Sequence, residues 1–282
     1  MPDMLTILRR IGCLRLLAIL VGLGLVLTLL MGIGQPRLKQ VDDPTRHYQK
    51  PLKSLSLPSD GLMGHFDKSQ LRRGFTVFQG ICASCHSLNQ VHFQDLSEIG
   101  YNKSQIEALM QEWINRIPDV DHNTGEALMR QPEMNDRITG PYYNPLGTSG
   151  ITTAPDLSLM VKARKGGTKH IYSILTGYET EPKEIEQRYP QFKTPEGNFY
   201  NPYIKGLHIA MPMPLLIDNQ VIYEDGTKAT VDQMAKDVTA FLQWSSEPEL
   251  EKRHHIGFGV IVFLLIATGL AVIICYQIWR DV

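Results

Sequence analysis

Residues 81–90 read ICASCHSLNQ and hold two of the four cysteines of a 282-residue chain, in the pattern Cys82-Ala83-Ser84-Cys85-His86. A redox dithiol needs only C-x-x-C, and a zinc site needs a second pair of ligands. A haem attached through two thioethers needs a histidine directly after the second cysteine. The other two cysteines, Cys13 and Cys275, fall in apolar runs, and no second Cys/His pair stands at zinc-site spacing. Residues 70–100 show no βαβ pattern of the kind that surrounds a thioredoxin-like dithiol. Haem attachment at Cys82 and Cys85, with His86 as an axial ligand, is the reading these residues favour.

The two ends of the chain set its compartment. Residues 16–33, LLAILVGLGLVLTLLMGI, follow Arg9, Arg10 and Arg15 as the apolar region of an export signal follows its basic region. The small residues Gly32 and Gly34 predict cleavage after Gly34, giving a signal peptide over 1–34, although the run is also long enough to stay as an anchor. Cys13 precedes the run, so it reads as an incidental thiol rather than a lipid-bearing one. A second apolar run, 256–279, carries no charge and spans about 36 Å as a helix, enough to cross a bilayer with some tilt. Tyr276 and Trp279 suit an interfacial belt, and residues 280–282 with Arg280 form a predicted cytoplasmic tail. Lys252 and Arg253 blunt the charge asymmetry, so orientation rests on the export signal. The expected protein crosses a bacterial inner membrane once and holds residues 35–255 as one periplasmic domain. Its 28 basic and 29 acidic residues leave no nucleic-acid-binding footprint.

The pattern within the domain is mainly helical. Asp67 followed by Gln70 opens a helix whose apolar face, Leu71, Phe75 and Phe78, runs toward Cys82. Ser104 with Glu107 predicts a second helix, carrying Ile106, Leu109, Met110, Trp113, Ile114 and Ile117 to a stop at Pro118. A third is expected from Pro155 to Arg164 and a fourth from Thr168 to Gly177. The last begins at Thr230 with Gln233 and presents Val231, Met234, Val238, Phe241 and Leu242. Residues 215–229, with Asp225-Gly226, predict a small hairpin, and residues 118–154 and 179–206 read as long loops.

The second axial ligand decides the chemistry, since an open site favours gas binding and a methionine gives a six-coordinate electron carrier. Met110, Met160 and Met234 sit on predicted helix faces and read as core. Met211 and Met213 lie in HIAMPMPL, a proline-stiffened stretch that cannot be helix, and either could reach an iron. His208 is the rival ligand.

In order, the export signal, ICASCHS, APDLSLMVKAR, GGTKHIYSILTGY, GLHIAMPMPL, TVDQMAKDVTAFLQWSSEPE and a single C-terminal span resemble the cytochrome c1 family, the haem subunits of quinol:cytochrome c reductase. The resemblance covers residues 40–282. It implies an enlarged cytochrome c-type haem domain, mainly α, with long loops, a small hairpin and one C-terminal transmembrane helix. One covalently held haem c would take thioethers from Cys82 and Cys85, His86 as proximal ligand and Met211 as distal ligand, with Met213 as the fallback. Pro155 would offer its carbonyl to His86, and Arg164 would neutralise a haem propionate. The expected partners are cytochrome b and a Rieske iron–sulfur protein in the membrane complex, and a soluble or tethered cytochrome c. His170 stands where many relatives carry tyrosine. A membrane-anchored monohaem shuttle or oxidase subunit, and a haem-based gas sensor, are the alternatives from other classes.

Charge is segregated along the domain. Residues 95–136 hold nine acidic and three basic residues, and Glu179, Glu181, Glu184 and Glu186 follow later, whereas residues 162–169 carry Lys162, Arg164, Lys165 and Lys169 without an acid. Such loops are expected to steer a basic cytochrome c in a salt-sensitive way.

Overall fold

The computed structural model describes residues 13–33, 44–141 and 154–280, in two compact units divided after Arg46. In the first unit, helix α1 (Cys13–Ile33) forms the apolar run. The predicted cleavage point after Gly34 lies outside the described residues. The second unit contains α2 (Lys68–Gly80), α3 (Lys103–Gln111), α4 (Met160–Ala163), α5 (Gly167–Leu175), α6 (Lys183–Arg188), α7 (Val231–Ser246) and α8 (Leu250–Arg280). Three two-stranded antiparallel ladders accompany them: β1 (Leu88–His92) with β4 (Arg137–Ile138), β2 (Ile117–Val120) with β3 (Ala127–Arg130), and β5 (Phe199–Tyr200) with β6 (His208–Ile209).

The core is built where α2 crosses α7. Asp67 caps α2 by accepting the Ser69 and Gln70 amides, and Thr230 caps α7 by accepting that of Gln233, so both helices start where their side chains satisfy otherwise orphaned donors. Gly74 sits at the crossing. A Cβ there would lie 2.1 Å from the Asp237 carbonyl oxygen and 2.6 Å from the Phe241 Cβ, so only glycine lets the helices approach this closely. Phe75 meets Phe241 edge-on at 5.6 Å and stacks on Trp113 at 6.2 Å, and Phe93 meets Trp113 edge-on at 5.2 Å. Each fully buried phenylalanine contributes about 1.5–3 kcal/mol of transfer free energy.

Several expectations change. Helix α3 starts two residues earlier than predicted, because Asn102 and Gln105 cap each other's amides reciprocally. It stops at Gln111, so Trp113 packs into the aromatic cluster from a turn, Ile114 is exposed, and Ile117 begins β2. The third helix is a single turn over Met160–Ala163, because the residues before it are spent on side-chain bonds to β1. The hairpin expected over 215–229 is a series of turns. Gln220 accepts the Leu216 amide and donates to the Pro214 carbonyl, Asp225 accepts the Thr227 amide, and Asp218 accepts that of Val231, leaving no ladder to form. Instead β2 and β3 form a four-residue hairpin ladder, almost wholly inside a stretch expected to be loop, and α6 and β5 lie inside the other such stretch.

Helix α8 has 31 residues and begins before the apolar run, because Leu250 is buried and Glu251 accepts the Phe66 amide of the segment that precedes α2. At 1.5 Å per residue it is about 46 Å long. Its length and composition allow it to cross a membrane.

Candidate haem site

The C-x-x-C-H motif follows directly on α2. Cys82–Ser84 form a single 3-10 turn, and the amides of Cys85 and His86 both donate to the Cys82 carbonyl at 3.0 and 2.9 Å. Ala83 is fully buried at the centre of this turn, and its carbonyl accepts the side-chain amide of buried Asn115 at 2.8 Å. Asn115 also reaches the Thr139 carbonyl, and Gly140 lets that strand end lie against the motif: a Cβ there would fall 3.1 Å from the Ser87 nitrogen. Backbone therefore packs around the motif on two sides. The Cys85 side is exposed and Cys82 is half-buried.

Pro155 comes from 69 residues away to place its carbonyl oxygen 2.7 Å from His86 Nδ1. A carbonyl only accepts, so Nδ1 carries the proton and Nε2 keeps its lone pair for a metal. The acceptor is held firmly. Asp156 takes the Ser87 hydroxyl at 2.7 Å, the Asn89 amide at 2.6 Å and the Ser158 amide at 3.0 Å, and the Leu157 amide donates to the Ser87 carbonyl. Fully buried Ser158 accepts the Gln90 amide on its hydroxyl, and its carbonyl accepts both the Ser245 and the Ser246 hydroxyls of α7.

These residues fit a covalently attached haem. Burial first, and the neighbouring Cys85 second, push the Cys82 thiol up to about 12, the opposite of the lowered value that makes a redox dithiol reactive. The motif presents one imidazole lone pair beside two thiols at the end of a packed helix.

The remaining predicted residues lie on other segments. Met211 is half-buried and Met213 is 40% exposed, both in the extended stretch after β6. The Tyr178 hydroxyl donates to the Met211 carbonyl at 3.0 Å, which ties this stretch to the end of α5. Burial raises the Tyr178 pKa and keeps its phenol a donor. His208 pairs with Tyr200 in the β5–β6 ladder, and its Nδ1 is buried with no hydrogen-bond partner among the described residues. Arg164 is exposed just after α4. His170 is held below the usual imidazole range, chiefly by burial and secondarily by the charge of Arg164.

Asn115, Asp156, Ser158 and Tyr178 are the supporting residues that the sequence reading missed. Asp156 carried a signal, since an aspartate directly after a proline commonly caps a following turn. Asn115 carried none. The acidic segments are less free than their composition implies: Glu179 pairs with Lys50 at 2.7 Å, Glu181 accepts the Thr194 amide and hydroxyl, Glu186 pairs with Lys193, and Arg130 binds both Asp119 and Asp136.

Residues 57–282 match the family described as the Cytochrome C1 family. The chain is 38% identical over 234 residues to "Cytochrome c1" of Rhodospirillum rubrum, covering 79% of this chain and 85% of that one. It is 39% identical over 213 residues to "Cytochrome c1 2, heme protein, mitochondrial" of Arabidopsis thaliana, covering 74% and 66%. It is 40% identical over 210 residues to "Cytochrome b-c1 complex catalytic subunit, mitochondrial" of Candida albicans, covering 73% and 70%.

Proposed function

The chain belongs to the cytochrome c1 family, and from that premise we propose how its residues serve as the haem subunit of the cytochrome b-c1 complex. Cys82 and Cys85 would carry one haem c through thioethers, and the His86 imidazole and the Met211 thioether would hold its iron. When bound, the haem supplies one-electron iron chemistry, so the chain needs no acid–base residue of its own. Pro155 keeps the His86 ring oriented and its proton on Nδ1. Tyr178 holds the backbone of Met211, and Arg164 stands as the cation for a propionate.

The observation that carries this reading is the 2.7 Å contact between His86 Nδ1 and the Pro155 carbonyl, directly behind a C-x-x-C-H turn. Metal-bound histidines characteristically use their second nitrogen in this way. The better shielding of Met211, and the tether on its carbonyl, favour it over Met213. The electron donor is a Rieske iron–sulfur protein and the acceptor a soluble or tethered cytochrome c. Cytochrome b is the neighbour of α8 within the membrane. Residues 1–34 act as a cleaved export signal, 35–255 as a periplasmic domain, 256–279 as the span and 280–282 as a cytoplasmic tail. Because Glu179, Glu181 and Glu186, and likewise Asp119 and Asp136, already have partners, the salt-sensitive steering of cytochrome c falls mainly to other exposed acids of residues 95–136, among them Glu112, Glu126 and Glu133.

Purification from the native membrane tests the reading. The expected result is haem that stays with this chain on a denaturing gel, a low-spin His/Met spectrum, and copurification of cytochrome b and the iron–sulfur protein. A haem chain that comes out alone, or with oxidase subunits, would contradict it.

A further inference from the structure

Residues 57–66 form a tightly bonded double turn just before α2. The Leu57 amide donates to the Asp60 carboxylate at 2.9 Å, the Asp60 amide to the Leu57 carbonyl at 3.0 Å, and the His65 amide to the Pro58 carbonyl at 3.0 Å. Gly61 is left-handed at φ +83°, and Gly64 is buried where a Cβ would fall 2.2 Å from the Ser59 carbonyl oxygen. Leu55 and Leu57 anchor the base of the loop in the core. This constrained backbone holds two apolar side chains outward: Leu62 is 90% exposed and Met63 is 82% exposed. A rigid turn that displays adjacent large apolar residues is built for contact, since such patches on a soluble surface mark interaction sites.

The loop's position says which contact. The Phe66 amide donates to the Glu251 carboxylate, and the Gly64 carbonyl lies 3.3 Å from His254 Nδ1. Both partners are on the first turns of α8. His254 precedes Ile256, the first residue of the apolar run, by two positions, about 3 Å along the helix axis. Lys252, Arg253, His254 and His255 stand at the same level, where a bilayer places its headgroups. Two side chains are too few for a specific protein interface, which takes about 800 Å² from each partner, but they suffice for shallow insertion at the headgroup boundary.

We propose that Leu62 and Met63 dip into the interfacial layer of the bilayer that α8 crosses, forming a second, shallow anchor that fixes the tilt of the haem domain. This inference rests on the reading of α8 as a membrane span, and the test separates the two. The full chain, with Cys13 replaced by serine, is incorporated with its haem into lipid nanodiscs. A nitroxide is placed either at native Cys275 in α8 or, with Cys275→Ser, at Leu62→Cys or Met63→Cys, while Cys82 and Cys85 stay occupied by haem. Collision with oxygen, which concentrates in lipid, is compared with collision with an aqueous nickel chelate. The assembled complex in native lipid is measured in the same way. The expected result is a several-fold higher oxygen-to-nickel ratio at positions 62 and 63 than at an exposed control such as Glu196→Cys, in both preparations. Lipid access at Cys275 with a water-like ratio at 62 and 63 overturns the proposal and leaves the span standing. Shielding from both quenchers in the complex overturns it in favour of a protein partner. A water-like ratio at Cys275 removes the premise and the proposal together.

Discussion

The guanidinium of Arg73 on α2 reaches Asp237 on α7, a fully buried carboxylate 164 residues away, with Nε at 2.9 Å, and it holds Asp225 with Nη1 at 2.7 Å. Arg73 Nη2 also donates to Asp237 at 3.4 Å, and Gln233 adds a third donor at 2.9 Å. Arg73→Met strips a buried charge of its partner and is expected to cost about 3–5 kcal/mol. The double variant Arg73→Met/Asp237→Leu removes both charges and is expected to recover most of that loss. Urea denaturation of the haem-loaded protein, followed by circular dichroism, measures both. Additive losses would show that the pair is not coupled.

Asp156 organises the turn that presents the Pro155 carbonyl. Asp156→Ala leaves the Ser87 hydroxyl and the Asn89 and Ser158 amides without their acceptor, a loss of about 1–3 kcal/mol in stability. Haem should remain attached. With the His86 hydrogen bond loosened, the imidazole becomes a weaker donor to iron and the midpoint potential is expected to rise. Potentiometric titration reads this directly, and an unchanged potential would assign Asp156 a purely structural part.

Met211→Leu and Met213→Leu distinguish the two thioethers. The Met211 variant should keep its thioether-attached haem, lose the methionine-to-iron charge-transfer band and show a markedly lower potential, because a thioether favours ferrous iron. Met213, more exposed, should keep both band and potential. The reverse pattern would move the ligand to Met213.

Acid should weaken the β2–β3 hairpin through one arginine. Arg130 hydrogen-bonds Asp136 and so holds that carboxyl below its usual range, against the opposing effect of burial. A depressed folded pKa gives stability that is present above the unfolded value and is lost as pH falls through the folded one. The parent's stability advantage over Arg130→Gln is therefore expected to be full at neutral pH and to shrink below the ordinary aspartate range. Paired denaturation curves across that window test it, and a constant difference would locate the contribution elsewhere.

Removing residues 256–282 should release a soluble haem domain. The polar contacts of α8 with the segment before α2 come from Glu251 and His254, and its buried anchor is Leu250, all of which remain. Export and purification without detergent check this, and recovery of only insoluble material counts against it.

What the sequence made legible was local. The caps at Asp67 and Thr230 are read correctly because each side chain serves an amide two or three residues away. The start of α3 was misplaced for the same reason: Ser104 and Glu107 match a capping box, but Asn102 and Gln105 form it. At 215–229 the Asp225-Gly226 pair suggested a hairpin turn, yet Asp218, Gln220 and Asp225 spend their side chains on nearby backbone, which a turn signal does not reveal. The β2–β3 hairpin was hidden because its strands are half exposed and one contains Pro118. At the site, the C-x-x-C-H residues announce themselves, whereas Asn115 and Ser158 act across 32 to 88 residues and leave no periodic trace.

The crossing of α2 with α7 bears on the order in which the molecule is made. The helix that leads into the two thiols crosses its main helical partner in residues 231–246, near the close of the haem domain. The Ser158 carbonyl, three residues beyond the His86 acceptor, is likewise secured only by Ser245 and Ser246. Contacts this distant in sequence form slowly, because loop closure precedes any gain from packing. During synthesis and export the C-x-x-C-H segment thus stays open while the chain that will clamp it is still arriving. The native packing around the histidine belongs to the last stage of folding, although the histidine itself lies in the first third of the chain.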